Sequence, residues 1–315
     1  PFKIRNREVM EKTMRYRSIL TLGLALLFSG TLFAQIQDNA GEYGFKFLHI
    51  PVSPASLALA GRAGDAISNP AAFALQPAIN TVERQRSLGV SHSKWLADTD
   101  FTNVCYSYST RRTHFGMLLR HLSYGEIEKR DEAGNIIGSY NPLDMGLTLN
   151  YSLRLSPSQY IGVNGGFVYE KLASASSVGV SGDLGYTWLP PLQDTKVSLA
   201  VRNLGVSSKM NEEAIDLPII AELDLNRGIS FDNYRVVVGG SLSKALDEPF
   251  KGTLHAEMNL WDSLILRAGY RINYSGEAFS AGLGFRVQRF GVDYGWADSV
   301  GDLNSIHALG LSYHF

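Results

Sequence analysis

The stretch Ser305-Ile306-His307-Ala308-Leu309-Gly310-Leu311-Ser312-Tyr313-His314-Phe315 alternates strictly between two kinds of side chain. One row is Leu309, Leu311, Tyr313 and Phe315, and the other is Ala308, Gly310, Ser312 and His314. Because successive side chains of a strand point to opposite faces, this pattern predicts a β-strand with two different surfaces. A large apolar row suits contact with lipid, and a small or polar row suits a wet lumen. A soluble protein can also end in such a strand, so this stretch alone leaves both alternatives open.

The same alternation recurs from about Ser87 onward, in segments separated by turn residues. Leu143–Leu155 and Phe279–Gln288 are long examples, each with one apolar row and one small or polar row. A helix would distribute these apolar residues around its axis, so the period of two favours strands. We count about fourteen segments, and an even number is typical of a single-chain bacterial barrel. The predicted strands are residues 86–95, 99–110, 113–124, 142–155, 158–171, 176–189, 195–203, 217–227, 233–244, 250–261, 263–273, 278–288, 289–297 and 305–315.

Soluble β-sandwiches also alternate, but two further features favour a membrane barrel. The segments run near the ~9–11 residues that a tilted membrane strand needs, against ~5–6 for a usual soluble strand. The polar rows also carry charges of both signs, which a dry sandwich core would not accept unpaired. We expect these charges to pair across strands inside the barrel. They are Arg154, Glu170, Arg202, Glu222, Asp224, Glu257, Arg267 and Arg286.

The N-terminal residues have the features of a secretory signal peptide. Arg15 and Arg17 precede an apolar run, residues 19–28, and small residues lead to an expected cut after Ala34. The run is too short for a permanent membrane helix, so the mature chain is predicted to be exported. We interpret residues 1–13 as upstream sequence or an over-extended start, and residues 14–34 as the signal peptide.

Residues 35–84 lack the strand pattern, and we interpret them as an N-terminal hatch, or plug, ahead of a barrel at residues 85–315. Ser53–Gly64 is rich in small residues, which permit close packing in a narrow space. Asn69-Pro70 favours a turn, after which Pro70 can open a helical turn. An ordinary loop packed against the barrel wall is the alternative for this motif. The predicted fold is therefore all-β: an antiparallel transmembrane β-barrel of about 14 strands with a short plug.

Asn69, Pro70 and Ala71 resemble the Asn-Pro-Ala hatch motif of the fatty-acid transporter (FadL-like) superfamily, whose members are fourteen-stranded barrels with an N-terminal hatch. Residues 45–61 resemble the start of the PorQ proteins, a type IX secretion-system family of the Bacteroidetes that is related to PorV. The chain departs from that family within these residues, where it lacks an expected arginine and an expected pair of glycines.

Gly310, Tyr313 and Phe315 have a spacing that resembles the terminal signal read by the outer-membrane assembly machinery. Together with the signal peptide, this resemblance predicts a multi-pass β-barrel in the outer membrane of a Gram-negative cell, and the PorQ resemblance implies a cell of the Bacteroidetes type. Such a location requires no transmembrane helix, and the predicted mature chain contains no apolar segment near ~20 residues.

The sequence gives no sign of catalytic, cofactor or metal chemistry. It contains no Gly-x-Ser-x-Gly elbow, no His-Glu-x-x-His and no phosphate loop. Cys105 is the only cysteine, so an intrachain disulfide and a cysteine cluster are both excluded. A formal net charge of −1 gives no reason to expect nucleic-acid binding. We therefore predict that the protein is not an enzyme and has no cofactor.

The resemblance implies a non-enzymatic component of the type IX secretion system. Such a barrel would anchor a PorZ-like surface protein, alongside PorU and PorV, for cargo secretion and attachment, in contact with outer-membrane lipid or lipopolysaccharide. The loops at residues 125–141 and 205–216 would be its docking surfaces. The superfamily implies an alternative function, passive transport of hydrophobic small molecules, although the polar lumen rows count against a continuous apolar path.

Overall fold

The computed structural model describes residues 43–64, 69–79, 84–212, 215–246, 248–274, 278–299 and 304–315. The predicted signal peptide at residues 14–34 and the stretch 1–13 lie outside the described residues. All described residues fall within one compact unit of the chain.

Fourteen antiparallel strands form a closed barrel, in which the first strand pairs with the last. Two further short strands pair with each other outside the barrel. The strands are β1 Gln85–Lys94, β2 Asp100–Ser109, β3 Thr113–Ser123, β4 Ile127–Arg130, β5 Ile136–Tyr140, β6 Leu143–Ser156, β7 Gln159–Leu172, β8 Ala175–Trp188, β9 Thr195–Ser207, β10 Ile220–Ser230, β11 Tyr234–Ala245, β12 Lys251–Leu260, β13 Leu264–Ile272, β14 Phe279–Val287, β15 Phe290–Ala297 and β16 Ile306–His314. Around the barrel each strand pairs with its neighbour in sequence, except that β3 pairs directly with β6. This closure confirms the predicted 14-stranded barrel.

Most strand ends lie within one residue of the predicted ones, and larger differences occur in three places. The expected polar loop at residues 125–141 contains the β4–β5 hairpin. β9 continues to Ser207, so the expected loop at 205–216 begins later. β10 begins at Ile220 instead of residue 217, because Leu217 is buried in an apolar cluster and Pro218 has no backbone N–H for a sheet bond.

The alternation of the strands separates an outer apolar face from an inner small or polar face. On β16, Leu309 and Leu311 are each 61% exposed, whereas Ala308 is 4% exposed. Tyr313 lies on the outer face, where its ring centroid is 5.0 Å from that of Phe290 and 4.9 Å from that of Phe315. Outward-facing leucines and a cluster of aromatic rings near the strand end are typical of a surface in contact with lipid.

Residues 43–64 and 69–79 lie inside the barrel, and we call them the inner segment. They contain a short helix, α1 (Pro54–Ala58), and two 3-10 turns, Lys46–His49 and Ala72–Ala74. A Cβ atom added to an inward-facing glycine of several strands would meet this segment, and these strands lie on more than one side of the lumen. The meeting pairs include Gly116 with Phe73, Gly146 with Phe47, Gly162 with Pro77, Gly185 with Ala78, Gly269 with Ala60, Gly282 with Ala58 and Gly295 with Pro54.

Wall side chains donate hydrogen bonds to the backbone carbonyls of the inner segment. A buried carbonyl without a donor costs free energy, and here serine, threonine and asparagine replace water as its partner. The bonds are Ser91 Oγ to Val52 O (3.0 Å), Asn150 Nδ2 to Pro77 O (3.0 Å), Ser152 Oγ to Ile79 O (3.2 Å), Asn164 Nδ2 to Phe73 O (3.1 Å), Thr187 Oγ1 to Ala78 O (2.8 Å) and Ser280 Oγ to Ala58 O (3.0 Å). The polar inner face is therefore complementary to an irregular chain.

We predict that valine at Gly162 destabilises the protein, whereas valine at Gly165 does not. A Cβ atom at Gly162 would collide with the Pro77 carbonyl, but a Cβ atom at Gly165 has no other atom within 4 Å. Overpacking of this kind lowers the free energy of unfolding by about 1–3 kcal/mol. Urea unfolding of Gly162→Val and Gly165→Val in phospholipid bilayers measures the difference. Equal midpoints for both variants would contradict the placement of Pro77 against β7.

Candidate functional site

The predicted hatch residues form a local turn inside the barrel. Asn69 Nδ2 donates to Ala63 O at 2.9 Å, and Ala71 N donates to Asn69 Oδ1 at 3.3 Å. Ala72 N donates to Asn69 O at 3.0 Å, which begins the turn at Ala72–Ala74. The Asn69 side chain therefore joins two parts of the inner segment. Its role as a hatch motif stays a prediction.

The residues of the predicted assembly signal lie on opposite faces of β16. Gly310 faces the lumen, where an added Cβ atom would meet Pro54 at 3.0 Å. Tyr313 and Phe315 belong to the outer aromatic cluster near the strand end. The glycine accommodates the inner segment, while the two aromatic residues suit the membrane interface. That the assembly machinery recognises all three stays a prediction.

A cavity of about 270 Å³ lies between the inner segment and the wall, at the end of the barrel that carries the longer loops. We call it the loop chamber. Ile50, Trp95 and Ile220 supply apolar lining. The charged residues that line it are Lys46, Arg62, Arg202, Glu222, Glu248, Lys251 and Arg271.

Three buried charges form the floor of the loop chamber. Arg62 comes from the inner segment, Arg202 from β9 and Glu222 from β10. Arg62 Nη1 lies 2.7 Å from Glu222 Oε1, and Arg202 Nη2 lies 2.9 Å from Glu222 Oε2. Each oxygen of the carboxylate thus receives one guanidinium, and the inner segment is ionically bonded to the wall.

The rim of the loop chamber is more accessible and also charged. Lys46 is exposed, and the half-buried Lys251 and Glu248 form an ion pair at 2.6 Å. His49 lies nearby, with Nε2 at 3.0 Å from Pro218 O. Desolvation by burial and the charge of Arg202 lower the pKa of His49 to about 4, so its ring is neutral near pH 7.

A second, smaller cavity of about 30 Å³ lies on the other side of the floor. We call it the lower cavity. It is large enough to hold a water molecule. Lys196 and Asn226 line it, near the start of β9 and the end of β10, so it extends towards the opposite end of the barrel. The residues that line both cavities are Gly61, Arg62, Leu75 and Glu222. We call these four residues the partition.

A separate ionic network lies on the inner face of the wall. Arg267 on β13 bonds Glu257 at 2.7 Å and Asp293 at 2.8 Å, and Arg286 bonds Asp293 at 2.9 Å. A chain of polar bonds also runs through His114, Asn150, Asn164 and Asp183 at 2.7 Å per step. These cross-strand contacts confirm that Arg202, Glu222, Glu257, Arg267 and Arg286 pair inside the lumen.

The sequence prediction identified the two floor residues that lie on the barrel wall, but it missed the floor residue that lies on the inner segment. Arg202 and Glu222 stood in polar strand rows, but Arg62 had no assigned role. A signal was present, because Arg62 is the only charged residue in the small-residue stretch Ser53–Gly64. A charge in a tightly packed segment needs a partner, and the fold supplies it from β10.

Two features are absent from the part of the chain that the structure describes. No group of three or more His, Cys, Asp or Glu side chains is placed to hold a metal ion. Within the same residues, no helix has the length and apolar character needed to cross a membrane.

The sequence matches no protein-family profile and no curated protein. The structure, in contrast, is similar to solved outer-membrane barrels. The CymD monoaromatic hydrocarbon channel aligns with a TM-score of 0.59 and 12% identity, over 84% of this chain and 97% of its own. The Pseudomonas putida toluene transporter TodX gives 0.56 and 13% identity, over 83% and 97%. A Pseudomonas aeruginosa FadL homologue gives 0.52 and 13% identity, over 84% and 99%.

Identities of 12–13% establish a shared fold and not a shared activity. The fold itself requires a membrane, because apolar side chains cover the outer face of a closed barrel with a polar interior. The chain therefore has the fold of the FadL-like barrels, and it is a multi-pass β-barrel protein of the outer membrane.

Proposed function

We propose that this protein is a passive outer-membrane channel for small molecules and that its inner segment is the gate. The observation that carries the proposal is the pair of cavities that meet at the partition. The loop chamber gives access from one end of the barrel, and the lower cavity lies along β9 and β10 towards the other end. Joining the two cavities would create a path through the lumen.

The partition can open by a small movement, because three of its four residues belong to the inner segment. Gly61 and Gly64 flank Arg62 and have φ values of +83° and +67°, which favour glycine. Such a turn can change conformation without altering the strand pairing of the wall. Breaking the contact between Arg62 and Glu222 would remove the main polar bond that closes the path.

The cargo is proposed to be small molecules with apolar surface, in line with the function that the FadL-like resemblance implies. Two proteins of similar fold are named as a monoaromatic hydrocarbon channel and a toluene transporter, which supports this class. Ile50, Trp95 and Ile220 offer apolar contact in the loop chamber. The charged floor makes the path amphipathic and not wholly apolar.

A disulfide between the inner segment and β13 should block the channel. The Cβ atom that cysteine would add at Gly269 lies 2.8 Å from the Cβ of Ala60, so the turn at Ala60 must move away from β13 by about 1 Å to reach the ~3.8 Å that a disulfide bridges. We expect Ala60→Cys/Gly269→Cys, in a Cys105→Ala background, to admit toluene into liposomes when reduced. Oxidation should decrease the uptake rate at least tenfold, since Gly61 and Arg62 adjoin the bridge.

The control carries its disulfide outside the barrel, at the paired residues Glu128 and Ser139 of the β4–β5 hairpin. Glu128→Cys/Ser139→Cys should admit toluene at the same rate in both redox states. Uptake by the oxidised Ala60–Gly269 pair at the reduced rate would refute the gate. No uptake by any form above empty liposomes would refute the channel.

We infer a second candidate function, anchoring of a surface partner in the type IX secretion system, from one specific feature. The β4–β5 hairpin projects beyond the barrel and exposes Ile136 and Ile137 at 59% and 56%. Adjacent exposed apolar residues on a hairpin suit a protein interface. A PorZ-like surface protein, with PorU and PorV, remains the proposed partner. The other expected docking loop is less available, because Asp216 O accepts a hydrogen bond from Gly44 N at 3.1 Å.

For this candidate, we expect tagged protein from detergent-solubilised outer membrane to retain one large surface protein. Ile136→Asp/Ile137→Asp should abolish that recovery, since buried carboxylates without partners would oppose the interface. Glu132→Lys, on the same hairpin, is the matched control and should preserve recovery. Equal recovery with the isoleucine variant would exclude the hairpin, and normal cargo attachment in a deletion strain would exclude the function.

A further inference from the structure

We infer that four arginines at one end of the barrel form a binding surface for the headgroups of anionic phospholipids. The residues are Arg86, Arg111, Arg112 and Arg289, and we call them the arginine crescent. They lie at the end opposite the loop chamber, where β1 begins and β16 ends. The inference is independent of the proposed channel, because it concerns the outer rim of the barrel and not its lumen.

Backbone hydrogen bonds place the crescent on neighbouring strand ends. Arg289 O accepts from His314 N at 2.8 Å, which joins the β14–β15 turn to β16. Arg86 O accepts from Phe315 N at 2.9 Å, which joins β16 to β1. β1 pairs with β2 along its whole length, so the β2–β3 turn with the other two arginines comes next. Since neighbouring strands lie about 4.8 Å apart, the four residues follow one continuous arc of the rim.

The arginines of the crescent are exposed and have no carboxylate partner. None of the four forms an ion pair within the described ranges. The turns of this sector, residues 110–112, 157–158 and 288–289, contain no Asp or Glu. Asp293 on β15 is buried on the inner face, where Arg267 and Arg286 compensate its charge. The positive charge of the crescent therefore stays available on the outside.

Two further carboxylates enter the charge balance without cancelling it. Glu83 is next to Arg84 in the sequence, and this pair adds no net charge. A terminal carboxylate at Phe315 would offset one of the four arginines. On the other side of the same end, each turn contains one aspartate: Asp194, Asp232 and Asp262. Three cations lie near those strand ends and balance them: Lys196, Arg227 and Arg235. The excess positive charge is thus confined to one sector of the rim.

The side chain of Arg86 lies on the lipid-facing surface. It continues the outward row of Leu88 and Val90, each of which is 46% exposed. Its guanidinium carbon lies 5.1 Å from the ring centroid of Tyr108, which belongs to the outward row of β2. Tyrosine rings are typical of the membrane interface, and an arginine can hold its charge at that level while its stem contacts apolar groups. A guanidinium in this position faces the phosphate layer of a leaflet.

The outer aromatic cluster marks the same level on the neighbouring strands. Arg289 precedes Phe290, whose ring packs against Tyr313, and Phe315 bonds the backbone of Arg86. Basic residues beside the membrane surface attract anionic headgroups, and a guanidinium can bond a phosphate through two N–H groups. Short turns are typical of the periplasmic end of such barrels. The ligand that fits the crescent is therefore an anionic phospholipid of the periplasmic leaflet.

The β2–β3 turn holds the two middle arginines without using their guanidinium groups. Thr110 Oγ1 accepts hydrogen bonds from Arg112 N at 3.1 Å and from Thr113 N at 2.9 Å. Thr110 N donates to Thr113 O at 2.7 Å, which closes the turn. An ordered backbone presents two adjacent positive charges at a smaller entropic cost than a flexible loop does.

The test uses the full-length protein in micelles of a neutral detergent, with equal amounts of phosphatidylglycerol and phosphatidylcholine of the same acyl chains. Native mass spectrometry measures the ratio of the two lipids that the protein retains. Wild type should retain phosphatidylglycerol over phosphatidylcholine by about fivefold or more, since each arginine attracts an anionic headgroup. Arg86→Gln/Arg111→Gln/Arg112→Gln/Arg289→Gln should lower that ratio by about threefold or more. A ratio near unity for wild type would overturn the inference.

The matched control removes the same number of positive charges from exposed residues at the loop end, through Lys94→Gln/Lys129→Gln/Arg130→Gln/Lys209→Gln. It should keep the wild-type ratio, and an equal loss in both variants would overturn the assignment to the crescent. Arg111→Gln/Arg112→Gln changes only an exposed turn, so it serves if the fourfold crescent variant does not fold. It should lower the ratio about twofold, and an unchanged ratio would contradict the inference.

Two further measurements distinguish a lipid from other anions. Glycerol phosphate at the same concentration should not displace phosphatidylglycerol, because it lacks the acyl chains that hold a headgroup at the rim. Displacement would overturn the lipid class. An acidic periplasmic protein that binds wild type but not the crescent variant, with equal lipid ratios for both, would make this surface a protein interface and overturn the inference.

Discussion

The hydrogen bonds from wall side chains to the carbonyls of the inner segment are the constraint on which the structure depends. An irregular chain inside a barrel has no sheet partners, and each unsatisfied carbonyl would cost about 1–3 kcal/mol. Ser91, Asn150, Asn164, Thr187 and Ser280 meet this need from strands on different sides of the lumen. Without them, the segment could not be buried there. The inward row must therefore combine glycine, which gives space, with short polar residues, which give donors.

This arrangement also explains why the lumen contains charges of both signs. Arg267 pairs with Glu257 on the adjacent strand and with Asp293 two strands away, and neither pair needs a contribution from the inner segment. Arg62 differs, because its bond to Glu222 crosses from the segment to the wall. One ionic group thus belongs to the wall alone, whereas the other lies between the two cavities and joins the inner segment to the wall. This difference is the basis of the proposal that the partition acts as a gate.

Much of the fold could be predicted from the contrast between neighbouring residues within a strand. In β16, the contrast between Leu309 and Ala308 defined the two faces, because the period of a strand is two and the environments are lipid and lumen. The predictions failed where long-range contacts determine the start of a strand or the formation of a hairpin. Burial of Leu217 delays β10, and the pairing of Glu128 with Ser139 makes a hairpin in a stretch that is polar by composition. Arg62 gave only a weak signal, since nothing in its neighbours indicates which strand holds its partner.

The sequence by itself determined the barrel class, the outward and inward rows, the number of barrel strands and the existence of a segment unlike a strand. These features follow from local periodicity, which each stretch carries independently of the others. Only the tertiary structure decided how that segment lies in the lumen, which wall residues donate to it and where the two cavities meet. Those properties depend on residues such as Arg62 and Glu222, which lie 160 positions apart in the chain and are brought together only by closure of the barrel around the inner segment.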